Sequence, residues 1–409
     1  MRSRLLVAAI AAALGMSSVG ALATPLQDQT TTPTNGDELN QLKAQLARLQ
    51  AQVDALQQRD QAQPVATRTV AAADDGRLAR LEKSVGDTSV SGKIYVDFTQ
   101  LNQNNSDSGK TDKSGTGLDM KRFYLGIEHK FNDIWSANLT TDFNYVSNDG
   151  QTNLFVKKAY VQGKFDQALV FRVGSADMPW IGFVENYYGF RYVENTITDR
   201  LKYGNSADWG LHLAGDIGAG KSLNYAVSVV NGNGYKDPSR SKGVDVEGRV
   251  GFVPFENMVI AVGGYSGHRG KQTQNIDAIH TAQRGDVLAA YAGKTFRLGG
   301  EYFTAKNWNN VLSPLTDKAD GYSFWGSVNL ADHLAVFARY DNARLSKDLD
   351  PKARDVYYNL GLEYQVTPGF KLAAVYKHGK SDRSVAAPTP PHVQNVRTDE
   401  VGLFGEVKF

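Results

Sequence analysis

From residue 89 onward apolar and polar side chains alternate, and this alternation limits the fold more than any other feature of the chain. In SVSGKIYVDFT (89–99), Val90, Gly92, Ile94, Val96 and Phe98 share one face. Ser91, Lys93, Tyr95, Asp97 and Thr99 share the other. A period of two belongs to a strand, because a helix would scatter both sets. WSANLTTDFNY (135–145) and TDEVGLFGEVKF (398–409) repeat the pattern. Sixteen such segments are expected, from 89–100, 119–131, 134–147 and 153–165, through 168–176 and 206–216, to 369–380 and 396–409.

The connections alternate in length. FNDI, FDQA, IGAG, PFEN, AGK, LADH and TPG are short; 101–118, 177–205, 231–240, 268–284, 306–319, 344–352 and 381–395 are long. Antiparallel strands return to the same rim every second turn, so one rim carries all the short turns. The polar faces carry charge, as with Lys93 and Asp97, Arg122 and Glu128, or Asp245, Glu247 and Arg249. A soluble sandwich would have to bury its apolar faces between two sheets. This many strands, with this loop rhythm, fit better to lipid outside and water inside. Closure also removes the edges that lipid would not tolerate. The chain has 40 Gly, 19 Tyr and 18 Phe but no Cys, which suits strands and excludes disulfides and thiol chemistry. The expected fold is all-β: a 16-stranded antiparallel transmembrane β-barrel over 89–409, preceded by a short N-terminal coiled-coil helix.

The residues before 89 read differently. MRSRLLVAAIAAALGMSSVGALATPL opens on Arg2 and Arg4, runs apolar from Leu5 to Leu14 and reaches Ala21-Leu22-Ala23. That is the form of a signal peptide over 1–23. Residues 24–36 follow as a flexible N-terminus. In 37–60, Leu39, Leu42, Leu46, Leu49, Val53 and Leu56 are spaced 3, 4, 3, 4, 3, a heptad seam that needs a partner. This segment is expected to be a periplasmic coiled coil that drives oligomerisation, with contact to peptidoglycan as a further role. Residues 61–88 form a linker with a short helical segment. Without Arg2 and Arg4 the 45 basic residues fall to 43, equal to the 43 acidic ones. That balance argues against nucleic acid as a partner.

The 177–205 connection, DMPWIGFVENYYGFRYVENTITDRLKYGN, is too aromatic to stand in water. It is expected to fold into the lumen and narrow it. The candidate pore-lining residues are Arg122, Lys158 and Arg172 on strands, and Glu185, Arg191, Glu194, Asp199, Arg200 and Lys202 in this segment. No catalytic constellation, metal site or cofactor is expected; the seven histidines are scattered. Phe409 is expected to act as the signal read by the barrel-assembly machinery.

Several stretches resemble the phosphate-selective porin O and P family. They are DMKRFYLGIEHKF (119–131), FRVGSADMPWIGFVEN (171–186), RYVENTITDRLKYGNSADWGLHLAG (191–215) and VVNGNGY (229–235). The resemblance covers most of 89–409. It implies a sixteen-stranded, usually trimeric channel of the bacterial outer membrane, passing phosphate through an arginine ladder and a lysine-lined constriction. Arg122, Arg191, Arg200 and Lys202 fall in the matching motifs. Glu185, Glu194 and Asp199 dilute their field, and Tyr124 and Glu128 interrupt the second strand. The expected function is passive diffusion of small hydrophilic solutes, anions such as phosphate among them. The coiled-coil prefix also resembles that of some sugar porins, so a carbohydrate-permeable or weakly selective porin is the alternative. A structural or adhesin barrel tethered to the cell wall is a third reading.

Overall fold

The computed structural model describes residues 85–144, 153–386 and 390–409, together with eight helical, exposed positions between 44 and 55. The chain divides into two units, 1–79 and 80–409. The six seam residues Leu39, Leu42, Leu46, Leu49, Val53 and Leu56 lie outside the described residues.

The second unit is a closed barrel. Its strands are β1 (Thr88–Asn105), β2 (Gly109–Lys110), β3 (Gly115–Lys130), β4 (Trp135–Asn144), β5 (Asn153–Lys164) and β6 (Val170–Asp177). Then come β7 (Ala207–Ile217), β8 (Leu223–Val230), β9 (Asp245–Phe252), β10 (Met258–Gly267), β11 (Ala282–Ala292) and β12 (Phe296–Lys306). The last five are β13 (Lys318–Ala331), β14 (Leu334–Arg344), β15 (Arg354–Thr367), β16 (Phe370–Val385) and β17 (His392–Lys408). β2 only extends the first hairpin, pairing Gly109 and Lys110 with β1. The other sixteen strands each pair antiparallel with their neighbours, and β17 pairs with β1 to close the ring. Closure runs to the last residue: Gly92 N–H donates to the Phe409 carbonyl at 2.8 Å, and Phe409 N–H to the Gly92 carbonyl at 3.1 Å.

The polarity of the wall is inverted relative to a soluble protein. On β15, Leu360 and Leu362 point outward and are 56% and 45% exposed. Asn359 and Glu363, which flank them, point inward and are 2% and 9% exposed. β9 repeats this, with Val246, Val250 and Phe252 outside and Asp245, Glu247 and Arg249 buried inside. An apolar exterior of this extent over a polar interior is stable only with lipid around it.

All the short connections lie on one rim, with the start of β1 and the end of β17. The long connection after β6 does not stay at its rim. It carries α1 (Ile181–Tyr188) and α2 (Ile197–Arg200) into the lumen. Within β6, Gly174 has φ of 124° and a position where a Cβ would lie 2.1 Å from the Ala159 carbonyl oxygen. Gly189 ends α1 at φ 82°, in the left-handed conformation that glycine adopts without penalty.

Candidate functional site: a lumen narrowed by an inserted loop

The inserted segment packs its apolar side against one half of the barrel interior. Trp180, Val184, Tyr188, Phe190 and Tyr192 are buried against Val259, Leu288, Trp325, Phe337, Val375 and Phe404 of the wall. Phe190 stacks on Phe337 at 4.1 Å between centroids, and Tyr188 meets Trp325 edge-on at 5.7 Å. Gly263 leaves room for the Trp180 ring, since a Cβ there would lie 2.6 Å from it.

Polar bonds fix the register of the loop. Trp180 N–H donates to Glu247 Oε1 at 3.0 Å and its indole N–H to Glu301 Oε1 at 2.7 Å. Tyr192 donates to Glu363 at 2.7 Å. Wall cations bind loop carbonyls: Arg339 to Asn195 at 2.5 Å, Arg284 to Tyr203 at 2.5 Å and Lys121 to Val193 at 2.8 Å. Arg200 reaches the other way, to Asp341 at 3.1 Å and Asp355 at 2.6 Å. Buried polar groups are costly unless paired, and these bonds pair wall carboxylates and cations with groups of the loop.

The remaining opening runs along β1 and β3–β9. On the short-turn side it widens into a cavity of about 740 Å³ under α1. Its lining includes Lys93, Lys157, Lys158, Arg172, Arg191, Arg249 and Lys408, against Asp177 and Glu185 as its acidic side chains. The vestibule is therefore positively charged.

Two of the lumen lysines owe their place to β-bulges. Tyr95 pairs with Arg122 but Val96 with Met120, so Lys121 is an extra residue. Thr140 pairs with Lys158 but Thr141 with Val156, so Lys157 is another. Each bulge turns two consecutive cations inward, Lys121 with Arg122 and Lys157 with Lys158. Strict alternation had assigned one residue of each pair to the lipid face. Arg284 was missed for a different reason: the expected strand began at 285, whereas β11 begins at Ala282.

The expected lining residues separate into two groups. Arg122 points into the lumen and pairs with Asp142 at 2.8 Å. Lys158 pairs with Asp177 at 2.5 Å, and Arg172 binds Gln162 at 2.8 Å. Glu185 and Arg191 pair across the loop at 2.5 Å and border the cavity. Lys202 is exposed, at φ 63°. Glu194, Asp199 and Arg200 instead hold the loop in place. Asp199 is buried between Arg191 at 3.4 Å and the Asn195 amide at 2.6 Å. Glu194 faces Lys377 at 3.4 Å. Burial works against the Glu194 carboxylate, but Lys377, Lys121 and Arg200 outweigh it and hold the group well below the usual carboxylate range.

Lys157, Lys236, Arg172 and Arg249 have no carboxylate within 4 Å among the described residues, and each lies over a ring. Lys157 Nζ is 4.6 Å from the Tyr124 centroid and Lys236 Nζ 4.5 Å from that of Phe155. Arg172 lies 5.4 Å from Tyr160 and Arg249 3.5 Å from Phe183. A ring face attracts a cation without neutralising it.

A closed sixteen-stranded barrel with an apolar exterior and a lumen narrowed by its own 177–205 loop defines a porin-type transmembrane barrel. Residues 89–186, from β1 into α1, match the family model of phosphate-selective porin O and P. Solved structures share the fold at low identity. The anion-selective porin from Comamonas acidovorans is 14% identical, with a TM-score of 0.55 over 79% of this chain and 100% of that one. A loop L8 deletion mutant of the Vibrio cholerae outer membrane protein OmpT gives 14% and 0.52 over 79% and 99%. Salmonella typhi OmpF, solved with daunomycin, gives 13% and 0.51 over 79% and 97%. No curated protein sequence matches the chain.

Proposed function

We propose that the protein is a passive outer-membrane diffusion channel that favours small anions, phosphate among them. The observation that carries this reading is the sign of the unpaired charge along the opening. Asp142, Asp177 and Glu185 are each paired with a cation there, whereas Lys157, Lys236, Arg172 and Arg249 keep their charge. Selectivity follows charge at the narrow part of a pore, not the total. The match to the phosphate-selective porin O and P model over 89–186 supports the same reading. The assembly is a homotrimer in the outer membrane, with residues 37–60 in the periplasm acting as its coiled-coil clamp. The heptad seam and the family resemblance support this part.

Reversal potentials in planar bilayers under a salt gradient test the reading. Discrete channels with chloride preferred over potassium are expected, and Lys157→Glu should reduce or reverse the preference. Cation preference in the unaltered protein, or current blocked by neutral sugars and not by anions, would sink it. A folded, inserted protein that carries no current would point to a structural barrel.

A further inference from the structure

The ring-borne cations of the lumen form a connected track. Phe155 and Tyr235 flank Lys236 at 4.5 and 5.8 Å. Tyr235 and Tyr124 flank Lys157 at 6.0 and 4.6 Å. Tyr124 then meets Tyr95 edge-on at 6.0 Å. Tyr235 is thus shared between two lysines, and the wall presents ring, cation, ring, cation, ring, ring in turn. Inorganic phosphate gains from several N–H donors converging on its oxygens, and the rings give it nothing. A planar organic acid uses both parts. Its carboxylate meets an ammonium that no acid of the protein occupies, and its own ring lies against tyrosine.

We propose that the lumen track selects organic anions that carry a flat apolar ring, aromatic carboxylates above all, over inorganic phosphate and small aliphatic acids. This rests on the channel reading. It predicts a preference within anions, which charge alone does not supply.

The test is single-channel recording in potassium chloride with benzoate, acetate or inorganic phosphate added to one side. Benzoate should interrupt the current at a concentration about fivefold lower than acetate or phosphate, the scale of one ring–ring contact. Tyr124→Leu should bring benzoate to the level of acetate while leaving chloride preference intact, and Tyr124→Phe should keep the gap. Lys157→Met should weaken the block by all three anions. Equal block by benzoate and acetate, strongest block by phosphate, or an unchanged benzoate block in Tyr124→Leu would overturn the inference and leave the channel in place. A silent bilayer with folded protein would overturn both.

Discussion

Arg200 makes the case at the scale of single residues. Its position in a charged loop segment suggested a lining cation, yet its guanidinium bridges Asp341 and Asp355 of the wall. Removing one member of such a pair leaves buried charge behind. Arg200→Met should therefore loosen the loop by about 3 kcal/mol. The expected readouts are noisier open-channel current and faster tryptic cleavage after Lys202. Glu194 makes a related prediction with pH. A carboxylate whose folded pKa is depressed contributes in full above its ordinary value, about 4.5, and loses that contribution as pH falls below it. Current noise in the unaltered channel should stay constant from pH 7 to 5 and rise only in stronger acid. Glu194→Gln should be noisy already at pH 7; a quiet variant would show that the Lys377 contact does not hold the loop. Sequence could place both residues in the segment that matters. It could not say which faced water and which faced the wall, because a loop has no period from which to read direction.

The inserted loop behaves as a plug of two materials, an apolar side that packs and a polar edge that sets its register. Trp180 joins both, fully buried and bonded to Glu301 through its indole. Trp180→Ala should cost about 3–5 kcal/mol and raise mean conductance as the segment relaxes from the wall. Thermal unfolding and single-channel amplitude check the two halves of that statement. Aromatic density in 177–205 was enough to anticipate insertion, since such a stretch has no stable place in water. The wall that receives it was not legible. Inward Leu288, Phe337 and Val375 look like breaks in the polar face until the loop supplies their partners. Strand existence was readable almost throughout, since the expected 206–216 and 369–380 became Ala207–Ile217 and Phe370–Val385.

For the whole molecule, the lipid face and the water face of each strand respond oppositely to charge. Leu360→Arg on β15 should lower folding stability into bilayers by about 2–4 kcal/mol if it lies near the midplane. Asn138→Lys on the inward face of β4, opposite Glu128 and lining the cavity, should leave stability nearly unchanged and raise anion preference. Urea titration in lipid vesicles separates the two. If both substitutions cost the same, the exterior is not in lipid. The barrel itself was the most legible part of the chain, because lipid imposes one rule on every strand. Its internal asymmetry, packed along β10–β17 and open along β1 and β3–β9, follows from side chains meeting across the lumen, which local sequence does not encode.

Lys121 and Lys157 also bear on how such a wall can change over generations. Each is a supernumerary residue, so its neighbours on both sides already face the way an uninterrupted strand would set them. Loss of a single codon at 157 would leave Val156 toward lipid and Lys158 toward water, in step with β4. Loss of a codon one turn away, at Gln162 for example, would put one flank of the strand out of phase and drive polar groups into the membrane. Deleting Lys157 should yield a folded, less anion-selective channel, and deleting Gln162 should yield no assembled barrel. Heat-modifiable migration of the two variants on gels would tell them apart. Charge in this lumen is thus carried partly on positions that inheritance can drop without disturbing the frame.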